Sequence, residues 1–172
     1  MINFIIAQIF GLVALIILVI SFQKNKKERL LKLQMFSSLL YAIQYVFLKA
    51  YTGFFMNIIC MIRNLIFNKF KNRRPPLYCL VIIIALMISC SVFTFNGIIS
   101  ILPTIAVSIY SIALWIGNMK IIRVVEIISC ILFIIYDIKV LAILGLIATI
   151  IEMISAIIAL YKFDIKTKCN NN

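Results

Sequence analysis

Long apolar runs alternate with short polar stretches along the whole chain. Some runs are long enough for one bilayer crossing, which takes about 20 residues, and others are long enough for two. This pattern predicts an all-α, polytopic membrane protein with seven transmembrane helices. The predicted helices span about residues 2–22, 34–50, 54–70, 77–95, 98–115, 122–136 and 140–162.

The polar stretches between the runs are strongly basic. Fourteen of the 17 Lys and Arg residues fall within 24–32, 69–74, 120–123 and 162–168. Short loops rich in Lys and Arg stay on the cytoplasmic side, which predicts an external N-terminus and a cytoplasmic C-terminus. We expect the first helix to be retained rather than cleaved as a signal peptide, because the basic cluster follows it.

The outer connections are predicted to be short and almost uncharged. They are a tight turn at Gly53, an Asn96-Gly97 turn and a turn at 137–139.

Composition narrows the class of protein further. Of the 172 residues, 65% are apolar and only 13% are charged, whereas soluble domains average about 25% charged residues. We therefore expect one transmembrane domain in contact with the lipid bilayer. The net charge of +12 is explained by the basic loops, so nucleic acid is not an expected partner.

The sequence carries no enzyme signature. It contains no histidine, no nucleophile motif and no glycine-rich phosphate loop, and its five cysteines lack metal-ligand spacing. Three of the five acidic residues, Glu126, Asp137 and Glu152, are predicted to lie at different depths within the helices. We therefore expect neither catalysis nor a metal or other cofactor.

An internal repeat connects the two ends of the chain. Shifting the sequence by 92 residues places Gly53 on Gly145 and Ser37 on Ser129 without a gap, with matched polar positions along each helix. The repeat predicts a three-plus-one-plus-three plan with parallel halves. Its parts are residues 1–70, a linker helix at 77–95, residues 97–162, and a cytoplasmic tail at 163–172.

Five polar side chains are candidates for a substrate pathway. Arg63 is predicted near the middle of the membrane, where a charge costs about 2.5–3.5 kcal/mol on insertion scales. Glu152 is predicted at a depth similar to that of Arg63. The two residues then either form a structural ion pair or act as a gate or substrate clamp. A further alternative is that the Arg63 side chain reaches to the inner surface. Asn57 and Thr149 are repeat mates that either bond between helices or line a cavity, and Gln44 lies nearer the outside.

Proline within the fifth helix is a candidate hinge. Pro103 is predicted to lie inside that helix, where it removes a backbone hydrogen bond and produces a kink. A hinge and a static kink remain equally open.

Short motifs along nearly the whole chain carry a family resemblance. They are Leu40-Tyr41, Gln44-Tyr45, the 51–53 segment, Asn57, Ile62-Arg63-Asn64, the 102–106 segment, and the spaced residues Tyr136, Gly145 and Glu152. With these motifs the chain resembles the YgjV-type bacterial inner membrane proteins. The resemblance implies a small multi-pass protein of the bacterial plasma (inner) membrane that is distantly similar to the SWEET, SemiSWEET and PQ-loop transporters.

In SWEET-like sugar facilitators, an asparagine on the third helix of each triplet contacts the sugar. Asn57 matches that position, but Thr149 replaces it in the second half. The charges of Arg63 and Glu152 suit an anionic or zwitterionic solute better.

The sequence thus predicts a transporter or facilitator for a small solute, working by alternating access between two three-helix bundles. The alternative is a non-transporting scaffold or accessory subunit in which Arg63 and Glu152 form a lock. A homo-oligomer is compatible with both.

Overall fold

The computed structural model describes residues 2–48, 51–70, 74–93, 99, 101–140 and 143–165. Within these ranges the chain is helical and contains no strand, which confirms the all-α prediction. The seven α-helices are α1 (Ile2–Phe22), α2 (Lys27–Phe47), α3 (Tyr51–Lys69), α4 (Leu77–Phe93), α5 (Ile101–Ile116), α6 (Met119–Val140) and α7 (Ile143–Leu160), and a short π-helix follows at Tyr161–Ile165.

The second helix begins earlier than predicted. Much of the basic stretch at 24–32 forms the first turns of α2 rather than a loop. Lys, Arg, Glu and Leu all favour helices, and Glu28 pairs with Lys32 one turn later at 2.8 Å. Leu30 and Leu31 are fully buried, so packing holds this charged segment in the helix.

Two predicted outer turns are wrong. Gly53 lies inside α3, and residues 137–139 continue α6 to Val140. The α6 extension persists because the carboxylate of Asp137 is satisfied by a side chain of α7, as described below. The predicted Asn96-Gly97 turn lies outside the described residues.

The helices pack as a closed ring in chain order. Each helix contacts its sequence neighbours, α7 contacts α1, and α3 also reaches α5. We call α1–α3 and α5–α7 the two groups of three. Within each group, the middle helix, α2 or α6, carries the main contacts to the other two. The buried apolar core comprises Phe22, Leu30, Leu31, Phe67, Leu80, Ile83, Met87, Tyr110, Ala113, Leu114 and Ile122.

The outward surface of the ring is apolar. On α1, Ile5, Ile9, Leu12 and Ile16 follow helical spacing and are each at least half exposed. Large exposed apolar surfaces indicate contact with another apolar phase. Among the described residues, three segments are long and apolar enough to cross a membrane: Ile5–Phe22, Lys27–Phe47 and Gly145–Asp164.

Serine hydroxyls join helices in the same way in both groups of three. Ser37 Oγ of α2 donates to the Ala14 carbonyl of α1 at 2.8 Å. Ser129 Oγ of α6 donates to the Ala106 carbonyl of α5 at 3.1 Å. Both alanines are fully buried, so the small side chains let the helix backbones approach closely.

The α5–α6 connection is tight and is anchored to the segment that precedes α4. Gly117 ends α5 with φ of 77°, a left-handed conformation that glycine adopts without strain. Trp115 Nε1 donates to the Pro75 carbonyl at 2.7 Å. The Arg74 guanidinium lies 5.6 Å from the centre of the Trp115 ring.

Candidate functional site

Arg63 lies in the middle of α3 and is only 4% exposed. Its Nε donates to Asn64 Oδ1 at 3.1 Å, and its Nη1 donates to Ser111 Oγ of α5 at 3.0 Å. Its guanidinium carbon lies 5.5 Å from the centre of the Tyr110 ring. Within the described part of the chain no carboxylate lies within 4.0 Å of Arg63, so it forms no ion pair with Glu152. Neutral oxygens and an aromatic face therefore hold this charge.

A buried amide extends the network from α2. Gln34 Nε2 donates to Tyr110 Oη at 2.5 Å, and both residues are buried. Gln34 Oε1 and Asn64 Nδ2 have no hydrogen-bond partner among the described protein groups. An unsatisfied buried group destabilises a fold by about 1–3 kcal/mol. Two such groups lie in the network around Arg63, so this network keeps unused hydrogen-bonding capacity.

Two glutamates and a cysteine meet between α6 and α7. Glu126 and Cys130 lie one turn apart on α6, and Glu152 reaches them from α7. One ligand atom of each residue lies within 4.8 Å of the other two, and Cys130 Sγ donates to Glu126 Oε1 at 3.7 Å. We call these three residues the Glu–Cys–Glu cluster.

Glu126 and Glu152 were predicted to lie at different depths, yet one carboxylate oxygen of each lies within 4.8 Å of the other. Two side chains that extend toward each other can bridge a difference of one helical turn, which is about 5.4 Å.

Thr149, a predicted pathway residue, pairs with the third interior acid. Its Oγ1 donates to Asp137 Oδ2 at 3.3 Å, and both residues are more than nine-tenths buried. A Cβ on Gly145 would lie 3.3 Å from the Asp137 carboxylate oxygens. The glycine therefore lets the α6 carboxylate approach α7 closely.

The remaining predicted residues are less central. Asn57 is half-buried on α3. Gln44 is half-buried on α2 and packs against Gly11, whose added Cβ would lie 2.5 Å from Gln44 Nε2. Pro103 is the third residue of α5, a position whose N–H has no acceptor within the helix. It therefore interrupts no hydrogen bond of α5 here, and the hinge stays a prediction.

A second buried arginine lies near the start of α6 and bonds to two other segments. Arg123, near the start of α6, is 0% exposed. Its Nη1 donates to Asp164 Oδ2 at 2.5 Å. Its Nη2 donates to the Lys24 carbonyl at 3.1 Å and to Asn25 Oδ1 at 3.3 Å. The guanidinium also lies 4.9 Å from the centre of the Phe163 ring. Arg123 thus joins the α1–α2 loop, α6 and the π-helix.

Sequence reasoning missed several members of these networks. Arg123 was counted among the loop residues, although its place beside an apolar run was a signal. Cys130 was one of the five cysteines judged to lack metal-ligand spacing, although its spacing of four residues from Glu126 puts both on one helical face. Tyr110 carried no signal, because an aromatic residue in an apolar helix looks like core.

Comparison with protein families gives one assignment. The model of the Imp-YgjV family, described as a bacterial inner membrane protein, matches residues 5–167. The comparisons with curated proteins and with solved structures find no match.

Proposed function

The chain belongs to the Imp-YgjV family of bacterial inner membrane proteins, and we propose that it is a transporter or facilitator for a small solute. The observation that carries the proposal is the buried charged network around Arg63. Ionisable residues inside a membrane are expensive and line solute or ion pathways. Here a cation held by neutral groups and two orphaned amide atoms lie in the helix interior, which is the chemistry of a polar solute site.

The proposal includes seven membrane crossings, with the N-terminus outside and the C-terminus in the cytoplasm. Three segments of the described chain meet the length and apolarity of a span. Helices α4 and α5 are apolar and have 17 and 16 residues, which is near the lower limit for crossing. The charges that lower the apolarity of α3 and α6 include Arg63 and Glu126, which are buried rather than exposed to lipid. The basic loops set the orientation.

The proposed mechanism is alternating access between two parallel repeats, α1–α3 and α5–α7, with α4 as the linker. Two pairs of hydrogen bonds support the repeat. The bond from Ser37 to Ala14 and the bond from Ser129 to Ala106 are related by the 92-residue shift.

The same 92-residue shift also relates two hydrogen bonds that connect one group of three to the other. Arg63 donates to Ser111 across α3 and α5, and Ser155 donates to the Val19 carbonyl across α7 and α1 at 2.9 Å.

Arg123 supplies the contact that holds the cytoplasmic side closed in this proposal. It belongs to the second group of three and binds the Lys24 carbonyl and Asn25 of the first. Inward opening would have to break these bonds, whereas the network around Arg63 lies deeper. The scaffold alternative depends on an Arg63–Glu152 lock, and these two residues form no ion pair here.

Uptake into proteoliposomes tests the transporter proposal. Wild-type protein should import at least one member of a panel of labelled anions, cations and zwitterions. Arg63→Gln should reduce that uptake at least about tenfold, because a hydrogen bond to a charged group contributes about 1.5–3 kcal/mol. Lys32→Gln is the matched control, since it removes a charge from an exposed pair, and it should transport within about twofold of wild type. Uptake by Arg63→Gln at the wild-type rate would rule out a central role for Arg63.

A further inference from the structure

The Glu–Cys–Glu cluster has the ligand types and spacing of a small metal site. Glu126 and Cys130 stand at i and i+4 on one helix, a spacing that puts two ligands on one face. Zinc binds thiolate at about 2.3 Å and carboxylate oxygen at about 2.0–2.2 Å, so two such ligands on one ion lie up to about 4.5 Å apart. The Cys130 Sγ to Glu126 Oε1 distance of 3.7 Å falls inside this limit.

A second observation also indicates a cation. Glu126 is 8% exposed, and its hydrogen-bond donor among the described residues is the Cys130 thiol alone. No described group donates a hydrogen bond to Glu152, and neither carboxylate has a basic group within 4.0 Å. Buried carboxylates are normally paired, hydrogen-bonded or bound to metal. Glu126, which is buried, and Glu152, which is half-buried, both lack a basic partner among the described residues.

An orphaned acceptor borders the cluster. Gln34 is 3% exposed, and its Oε1 has no hydrogen-bond partner in the described part of the chain. Its amide is joined to Tyr110, whose electrostatic neighbours include Glu126 and Cys130. Among the described residues, the Cys130 thiol is the one group that donates a hydrogen bond to Glu126, Glu152 or Gln34 Oε1, so these acceptors keep capacity for a cation.

The charges balance for a divalent ion. Two carboxylates and a thiolate carry three negative charges, and the field of Arg63 reaches Glu126. One divalent ion together with the Arg63 guanidinium neutralises all three. The thiol proton is released to solvent when the metal–sulfur bond forms.

We propose that Glu126, Cys130 and Glu152 bind one divalent transition-metal cation of the zinc class. A thiolate disfavours Mg²⁺ and Ca²⁺, which prefer an all-oxygen shell. Three protein ligands leave the fourth tetrahedral position open, which suits an ion that must be released. That the ion is the transported solute rests on the function proposed above, whereas the binding itself does not.

Metal titration of the purified full-length chain tests the site. The protein, reduced and stripped with a chelator in detergent, is titrated with Cd²⁺ while its thiolate-to-metal charge-transfer absorption is followed, and Zn²⁺ is then added as competitor. We expect one ion per chain. Cys130→Ser should abolish the absorption band, and Glu152→Gln, an isosteric change at a partly exposed side chain, should weaken binding at least about tenfold.

Cys79→Ser, a change on α4 away from the cluster, is the matched control and should leave binding unchanged. The site is wrong if wild type shows no band, if the band survives in Cys130→Ser, or if Glu152→Gln binds as wild type does. Proton uptake by the carboxylates without Cd²⁺ binding also overturns it.

Proteoliposomes containing a zinc-sensitive dye separate the two proposals. If the ion binds and no solute enters wild-type liposomes, the transporter proposal fails and the metal site stands. If another solute enters and no ion binds, the metal site fails and the transporter stands. Zinc entry that is lost in Glu152→Gln and kept in Cys79→Ser supports both.

Discussion

Replacing Arg123 should destabilise the protein strongly, because this residue connects three segments without any exposure to solvent. The change Arg123→Met keeps most of the side-chain volume and removes the bonds to Asp164, to the Lys24 carbonyl and to Asn25. Hydrogen bonds to a charged group contribute about 1.5–3 kcal/mol each. Two features reduce the sum: the Asn25 bond is long at 3.3 Å, and Arg123 Nε has no hydrogen-bond partner among the described residues.

Asp164 is 16% exposed and keeps some contact with water when its partner is lost, so we expect a net loss of about 3 kcal/mol. This value is at the lower end of the range of about 3–5 kcal/mol for breaking a buried pair. For a chain of this size it corresponds to a fall in Tm of about 6–12 °C.

Thermal unfolding in detergent, followed by far-ultraviolet circular dichroism, measures this loss. Lys32→Met is the control, because it breaks an ion pair whose side chains are 52% and 34% exposed. Such a pair contributes about 0.5 kcal/mol or less. A Tm for Arg123→Met within about 2 °C of wild type would refute the reasoning that Arg123 holds this end of the protein together.

Two further predictions concern the repeat and the α5–α6 turn. Ser37→Ala and Ser129→Ala should each lower the free energy of unfolding by about 0.6 kcal/mol, and a difference above about 1 kcal/mol in a denaturing-detergent titration would contradict their equivalence. Gly117→Ala should lower it by about 1–2 kcal/mol, because the left-handed backbone is strained for alanine and the new Cβ would lie 3.0 Å from Lys27 Nζ. Gly117→Asn, which tolerates that conformation better, should recover part of the loss, and equal stability of the alanine variant and wild type would exclude the strain.

Helix bounds were predictable where apolarity alone decides them. The first helix matches its prediction because residues 2–22 form one apolar run, and α4 begins where the Pro75-Pro76 pair ends. The prediction failed at α2 and α6, whose ends carry charged residues that read as loop in a hydropathy profile. Those charged residues are good helix formers. At the start of α2, the burial of Leu30 and Leu31 also holds the charged segment in the helix.

The candidate site was predictable in its charges but not in its contacts. Arg63 and Glu152 stand out because each interrupts an apolar run. Their partners depend on how each helix is rotated about its axis and on which helices meet, and periodicity does not encode this. An ion pair between Arg63 and Glu152 was therefore one of the open alternatives, whereas Ser111 and Tyr110 hold the guanidinium in the structure.

Trp115 is the single tryptophan of the chain. Its indole bonds to the Pro75 carbonyl and lies beneath Arg74, so its emission reports on the distance between the end of α5 and the segment that leads into α4. Any movement of α4 against the end of α5 must change that environment. Trp115 is therefore an intrinsic fluorescent reporter of the placement of α4 relative to α5, and it needs no added label.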